Sequence, residues 1–256
     1  MRPSNWEDTF EGYLYSKLYD KEERKEIIRD IYYNVCPRNY KATIDNILKL
    51  EHAKWFVYGQ CWSKIAESDA MWRIYSYNNH SIQIQTTETR IHNLLKRDPH
   101  IKYDIKPVKY DINPEENLMH MQVEQLKNSL SIYEPFLHKR KAFKHESEKR
   151  VLIDDTRWYS MLSPTIMGAN WKIHENLYEL TDEARLEEIE KRLEQYMGNM
   201  NIENLPQSYL VSVENLGQYI SGVKVNPFAE QWYVNLIEGL CKEYGLNFIG
   251  QSELYK

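Results

Sequence analysis

Charged side chains alternate in the middle of the chain, directly before a short apolar run. Glu146, Glu148 and Arg150 are spaced two residues apart, and the apolar residues 151–153 follow. If a strand begins early enough to include them, their side chains point to one face, because successive residues of a strand alternate. Burying two carboxylates and a guanidinium is costly unless they are paired, so the spacing predicts that Arg150 holds a carboxylate inside a cavity. A solvated ladder of charges on an exposed edge strand is the alternative interpretation.

A hydroxyl and several aromatic rings follow another apolar run, residues 55–62. Ser63 supplies the hydroxyl, and Trp62, Trp72 and Tyr75 supply the rings. Aromatic walls suit a planar ligand such as a base or nicotinamide, and they suit a plain hydrophobic core equally well. From the helical spacing we expect one apolar cluster under or beside a cleft, formed by Trp62, Met71, Trp72 and Tyr75.

Two further sets of charged residues could bind a metal ion or an anion. Asp8 and Glu11 lie three residues apart and would share one face of a helical turn, although an N-terminal cap is the simpler interpretation. The stretch 139–150 carries six Lys and Arg side chains, which could hold phosphates or could form an ordinary solvated face.

The elements that must position these residues mix helices and strands. Helical patterns cover 20–33, 40–52, 114–137 and 181–198, and a last helix has Asn226 as its cap, Pro227 in its first turn and Gly245 at its end. Strand patterns cover 55–62, 81–86, 101–110, 150–153, 208–213 and 220–226. We expect an α+β fold, a single domain over 1–256 with a central mixed or antiparallel sheet and flanking helices. Residues 154–206 are expected to form an insertion with an amphipathic helix.

Composition narrows the class of protein. The chain has 256 residues, 42% of them hydrophobic, and a net charge of −5, which excludes a generally basic nucleic-acid coat. The three cysteines contain no C-x-x-C pair, so we expect a reduced, cytoplasmic protein with neither a disulfide framework nor a zinc ribbon. No secretion signal or membrane span is expected. Phosphate-loop, dinucleotide-fold, zincin and hydrolase-elbow motifs are absent from the sequence.

Several short motifs together resemble the prokaryotic family called domain of unknown function 2971. They are W-x-D-x-x-E at 6–11, C-W-S at 61–63, D-x-M-W-x-x-Y at 69–75, F-x-H-E-x-E-x-R at 143–150, V-x-V-N-P at 223–227, and the late Ser252 and Leu254. The resemblance spans nearly the whole chain and implies no assigned activity. Family members usually carry a strand with a Tyr or Arg upstream of the first motif, which here begins at Trp6.

A more distant similarity is to the ADP-ribosyltransferases. These enzymes place a Ser on an early strand and an E-x-E or Q-x-E on a later one, and Ser63 and Glu146-Ser147-Glu148 occur in that order. The similarity implies an enzyme that uses NAD, acting as a toxin or phage-defence effector on nucleic acid or protein. A fixed carboxylate suits an oxocarbenium-like centre, and an aromatic wall suits nicotinamide.

The similarity assigns each candidate residue a role. Expected catalytic residues are Glu148, Glu146 and Arg150; expected NAD-binding residues are Ser63, Trp62, Trp72, Tyr75 and His145; expected substrate-binding residues are Lys141, Lys144, Trp6 and Glu11. No metal is needed in this interpretation. Expected partners are a nucleic-acid or protein acceptor and an operon-encoded protein, without a membrane.

Two other functions stay open. One is a metal-dependent nuclease or phosphoesterase, with Mg²⁺ held by Asp8, Glu11, Glu146 and Glu148 and with Lys141 or Lys144 at the phosphate. The other is a non-enzymatic module that binds a partner and whose aromatic residues are core.

Overall fold

The computed structural model describes residues 10–11, 17–18, 20–113, 123–124, 127, 131, 133–157, 176–198 and 206–255. Trp6, Asp8 and large parts of the predicted helix 114–137 and of the predicted insertion 154–206 lie outside the described residues. Among the described residues of that predicted helix, 123, 124 and 127 are helical, and Glu134–Leu137 form a 3₁₀-helix instead.

The described helices largely follow the predicted periodicity. They are α1 Lys21–Asp30, which continues as the π-helix Ile31–Val35, α2 Tyr40–Phe56, α3 Asp69–Tyr75, α4 Glu88–Leu95, α5 Asp182–Gly198, α6 Leu216–Tyr219 and α7 Gln231–Glu243. Side-chain caps begin several of them: Asp20 accepts hydrogen bonds from the first-turn amides of α1, and Asn39 accepts one from Ala42 of α2. Further 3₁₀-helices are Lys141–Glu146 and Leu177–Glu179.

The strands of the described residues form three sheets. The strands are β1 Val57–Ser63, β2 Ile82–Gln85, β3 Ile101–Pro107, β4 Lys109–Ile112, β5 His138–Arg140, β6 Glu148–Asp155, β7 Gly222–Val225 and β8 Phe248–Gln251. Their orders are β1-β6-β3, β2-β7-β8 and β4-β5. The β2–β7 pair is antiparallel, whereas β7–β8 and β4–β5 are parallel. The predicted α+β class, with antiparallel and mixed strands and helices, is confirmed.

Two predicted elements are wrong. Residues 208–213 form no strand, and Leu210 within them is 88% exposed. The last helix begins at Gln231, so Pro227 does not lie in its first turn; Asn226 instead accepts a hydrogen bond from the Phe228 amide and forms a turn there. Its predicted end is confirmed, since Gly245 follows it with a φ of +64°.

The described chain divides into two compact units. The first contains residues 1–61, 100–144 and 150–209, and the second contains 62–99, 145–149 and 210–256. The core of the first unit is built by the apolar stripes of α1, α2 and α5, with Ile27, Ile28, Ile31, Ile44, Ile47, Leu186, Ile189 and Leu193 all buried. The core of the second unit packs Val223 and Val225 of β7 against Val234, Ile237 and Cys241 of α7.

Among the described residues, no helix is both long enough and apolar enough to cross a bilayer.

Candidate functional site

Three of the predicted site residues are joined by hydrogen bonds in the second unit. The Tyr75 hydroxyl lies 3.2 Å from a carboxylate oxygen of Glu146 and donates to it. The Ser63 hydroxyl donates to the main-chain oxygen of Glu146 at 2.8 Å. Glu146 is therefore held at its backbone from the end of β1 and at its carboxylate from the end of α3.

Ser147 adopts a left-handed backbone conformation between the two glutamates. Its φ is +46°, which costs a residue with a side chain about 1–2 kcal/mol. The Lys64 amide donates to the Ser147 carbonyl at 2.9 Å and, together with Ser63, holds this turn. Strained backbone of this kind is concentrated at functional sites.

The turn corrects one prediction from the sequence. Glu146 ends a 3₁₀-helix and β6 begins only at Glu148, so the two glutamates are not alternate residues of one strand. The strand therefore does not begin early enough to place Glu146 on the same face as Glu148 and Arg150. Both carboxylates are nevertheless buried, Glu146 at 5% exposure and Glu148 at 8%.

Arg150 forms buried hydrogen bonds within the first unit. Its guanidinium donates to the Glu11 carboxylate and to the Phe136 carbonyl. Lys139 lies 3.3 Å from the other oxygen of Glu11. Two predicted site residues, Arg150 and Glu11, are thus brought together in a buried ion pair.

Trp72 is a buried residue of the second unit. Its indole nitrogen donates to Glu67 at 3.2 Å, and the ring is 7% exposed. Tyr75, three residues later, is 63% exposed, so the prediction that it belongs to an apolar cluster with Trp72 is wrong. The exposed tyrosine ring, rather than Trp72, offers an open aromatic surface beside Glu146.

The remaining candidates differ in exposure. Lys141, Lys144 and His145 are exposed, and Trp62 is half-buried with its ring 6.1 Å from that of Tyr219. Within the described part of the chain, no three His, Cys, Asp or Glu side chains form a group suited to a metal ion.

Glu67 is a central residue that sequence reasoning missed. One carboxylate oxygen accepts from Trp72 and from Ser252, and the other accepts from Lys224 at 2.9 Å. Lys224 lies within V-x-V-N-P, and Ser252 begins the late Ser-x-Leu motif. The signal was the co-occurrence of these motifs with D-x-M-W, because the partly buried carboxylate of Glu67 joins all three.

The arrangement around Glu146 can orient a carboxylate next to an open aromatic ring. Ser63 cannot donate to a ligand while its proton is committed to the Glu146 carbonyl, and its oxygen also accepts from the Ile65 amide at 3.2 Å. In this geometry Ser63 holds the main chain of Glu146, and Tyr75 is the exposed side chain that contacts its carboxylate.

Comparison with known families now adds an independent result. Residues 71–151 match the model of the family described as protein of unknown function (DUF2971), which confirms the resemblance inferred from the motifs. The matched region begins within D-x-M-W-x-x-Y and ends just after F-x-H-E-x-E-x-R, so it contains Tyr75 and both glutamates. No curated protein and no solved structure matches the chain.

Proposed function

We propose that this protein is an NAD-consuming transferase similar to ADP-ribosyltransferases. One observation carries the proposal: the Glu146 carboxylate accepts a hydrogen bond from the exposed Tyr75 ring, next to a left-handed Ser147 that is followed by the buried Glu148. Carboxylates fixed at a strained turn suit a reaction in which positive charge develops.

Each group has a role in the proposed reaction. The bond between C1′ of the ribose and the nicotinamide nitrogen breaks, and its electron pair leaves with nicotinamide. Glu148 stabilises the positive charge that develops at C1′. Water or an acceptor hydroxyl bonds to C1′ and gives its proton to Glu146.

Tyr75 and Ser63 support this chemistry from two sides. The exposed Tyr75 ring provides a wall against which a planar nicotinamide or adenine can stack. Ser63 fixes the main chain of Glu146, so its loss should disorder the turn instead of removing a ligand contact.

The test is nicotinamide release from NAD by the purified protein, with transfer to mixed nucleic acid and protein followed in parallel. Glu148→Gln keeps the shape of the side chain but cannot stabilise a cation, so release should fall by about 10²–10³-fold. Glu88→Gln is the matched control, because Glu88 is a half-exposed carboxylate of the same unit that pairs with Lys149.

Other outcomes favour the other functions. Full nicotinamide release by Glu148→Gln would contradict the proposal. Mg²⁺-dependent cleavage of nucleic acid that is lost in Glu11→Gln would support the nuclease alternative. An absence of both activities in the wild-type protein would favour the binding module.

A further inference from the structure

β2 is an edge strand of the sheet in the second unit. The strand order is β2-β7-β8, and the antiparallel register places Ile82 opposite Val225 and Ile84 opposite Val223. An edge strand presents backbone groups along its outer side, where another strand can add.

The hydrogen bonds of β7 establish which backbone groups face which neighbour. The Val223 amide donates to Asn247, and the Val225 carbonyl accepts from Ser252, so the odd-numbered residues of β7 face β8. The Asn226 amide instead donates to β2 through the Ser81 carbonyl.

It follows that the backbone amides and carbonyls of Ile82 and Ile84 face away from β7. Successive residues of a strand direct their amide and carbonyl groups to opposite edges, and the pairs of an antiparallel ladder alternate between bonded and non-bonded. Since Ser81 pairs with Asn226, Gln83 is the next residue that faces β7. The amides and carbonyls of Ile82 and Ile84 therefore point to the outer edge of the sheet.

The two isoleucine side chains extend the apolar face that α7 covers. Residues directly opposite in a ladder lie on the same face, so Ile82 and Ile84 share the face of Val225 and Val223. The two valines are buried against α7, whereas Ile82 and Ile84 stay 38% and 43% exposed. The apolar surface thus continues past the helix to the open edge.

The edge carries neither charge nor proline, two features that commonly block strand addition. Residues 81–87, Ser-Ile-Gln-Ile-Gln-Thr-Thr, contain neither of them. When this sequence is read antiparallel against itself about Gln83, isoleucine meets isoleucine and no like charges meet. The segment is therefore complementary to a second copy of itself.

We propose that the β2 edge binds the β2 edge of a second copy of this chain. Ile82 of each copy pairs with Ile84 of the other through both amides and both carbonyls, and Gln83 lies on the two-fold axis. The result is one six-stranded sheet, with the four isoleucines buried between the two α7 helices. Such an isologous contact closes on itself and gives a dimer.

Light scattering and sedimentation of the full chain over a range of concentrations test the proposal. The wild-type protein should be a dimer that dissociates on dilution. Ile84→Lys should raise the dimer Kd by about tenfold or more, because it places a charge in the apolar contact. Leu210→Lys is the control, since it changes an exposed leucine of the same unit outside the edge, and it should leave the Kd unchanged.

Hydrogen exchange of the wild-type protein gives a second measurement that does not depend on a variant folding. The amides of Ile82 and Ile84 should exchange more slowly as the concentration rises, while exposed amides elsewhere stay the same. A monomer at every concentration, an unchanged Kd in a folded Ile84→Lys, or concentration-independent exchange at both amides would overturn the proposal.

Discussion

The guanidinium of Arg150 donates a hydrogen bond to the carboxylate of Glu11, and both side chains are almost completely buried, at 1% and 3% exposure. Glu11 belongs to the motif W-x-D-x-x-E and Arg150 ends F-x-H-E-x-E-x-R, so the pair joins two segments that are 139 residues apart in the chain. A contact of this kind ties distant segments of the first unit together.

Removal of Arg150 should destabilise the protein strongly. Breaking a buried ion pair by removing one partner costs about 3–5 kcal/mol, because the other charge is left without compensation. Arg150→Met should therefore lower the free energy of unfolding in urea by that amount. Arg29→Met removes the exposed pair with Glu183 and should cost about 0–1 kcal/mol. Equal effects of the two changes would contradict the assigned role of Arg150.

Replacement of Trp72 tests the core of the second unit. Trp72→Ala should cost about 3–5 kcal/mol, since it empties a buried site and removes the indole donor to Glu67. Ile74→Ala on the same helix is the comparison, because Ile74 is 58% exposed, and it should cost less than about 1 kcal/mol. Thermal melts of both variants measure the difference, and a melt of Trp72→Ala close to the wild type would remove Trp72 from the core.

Acid should weaken the first unit through two carboxylates beside His138. Burial raises the pKa of Glu134, but hydrogen bonds from Lys109 and His138 outweigh it and leave the pKa below the ordinary 4.5. Burial also raises the pKa of Asp111, whereas a hydrogen bond from His138 lowers it. The net result is a pKa of Asp111 below its ordinary 3.8. Both carboxylates bind protons more weakly in the folded state, so their stabilisation is complete above these ordinary values and is lost as the pH falls through the lower folded ones.

Urea unfolding at neutral pH and near pH 3 measures this loss. His138→Gln should reduce the difference between the two conditions, because His138 contacts both carboxylates. His92→Gln is the control for an exposed histidine in α4. An acid dependence that is identical in His138→Gln and the wild-type protein would show that these carboxylates do not contribute.

Lys54 should make the protein more stable as the pH rises through the alkaline range. Burial lowers the pKa of Lys54 from 10.5 to about 8, against a smaller opposing effect of Glu51. Between these two values the unfolded chain binds the additional proton, so this lysine makes the free energy of unfolding rise with pH there. At neutral pH the buried charge is unfavourable.

Lys54→Met should therefore stabilise the protein at neutral pH and remove that alkaline rise. Lys41→Met, an exposed lysine of the same helix, should change neither property. The measurement is the difference in unfolding free energy between each variant and the wild type across the alkaline range. A constant difference for Lys54→Met would refute the lowered pKa.

Periodicity was sufficient to predict the helices of the first unit. In α1, α2 and α5 the apolar residues recur every three or four positions, and those residues are the buried ones. Burial of one face determines a helix locally, so no information about distant segments is needed.

Strands were predicted less well because their stability depends on partners. The alternating Tyr209, Leu210 and Val211 are typical of a strand, yet no ladder forms over 208–213. Phe248–Gln251 was left without an assigned role, although it pairs in parallel with β7. Short apolar runs alone do not establish which of them will find a neighbour.

The candidate site was predicted in its residue types but not in its geometry. Tyr75, Ser63 and Glu146 were all named, and their hydrogen bonds now connect them. The left-handed Ser147 was not foreseen, because a serine gives no sign of a positive φ, and this single residue rotates Glu146 out of the strand pattern. The contact of Arg150 with Glu11 was not predicted, because the two residues lie 139 positions apart in the sequence.

The pairing of β2 with β7 joins two segments that are synthesised at different times. Ile82 leaves the ribosome long before Val225, its partner, has been translated. During that interval β2 has no native neighbour on either edge, and its uncharged, isoleucine-containing sequence is available to other nascent chains. Nascent chains of this protein should therefore depend on chaperones until residue 225 has emerged, and expression at high level should produce aggregates that start from residues 81–87.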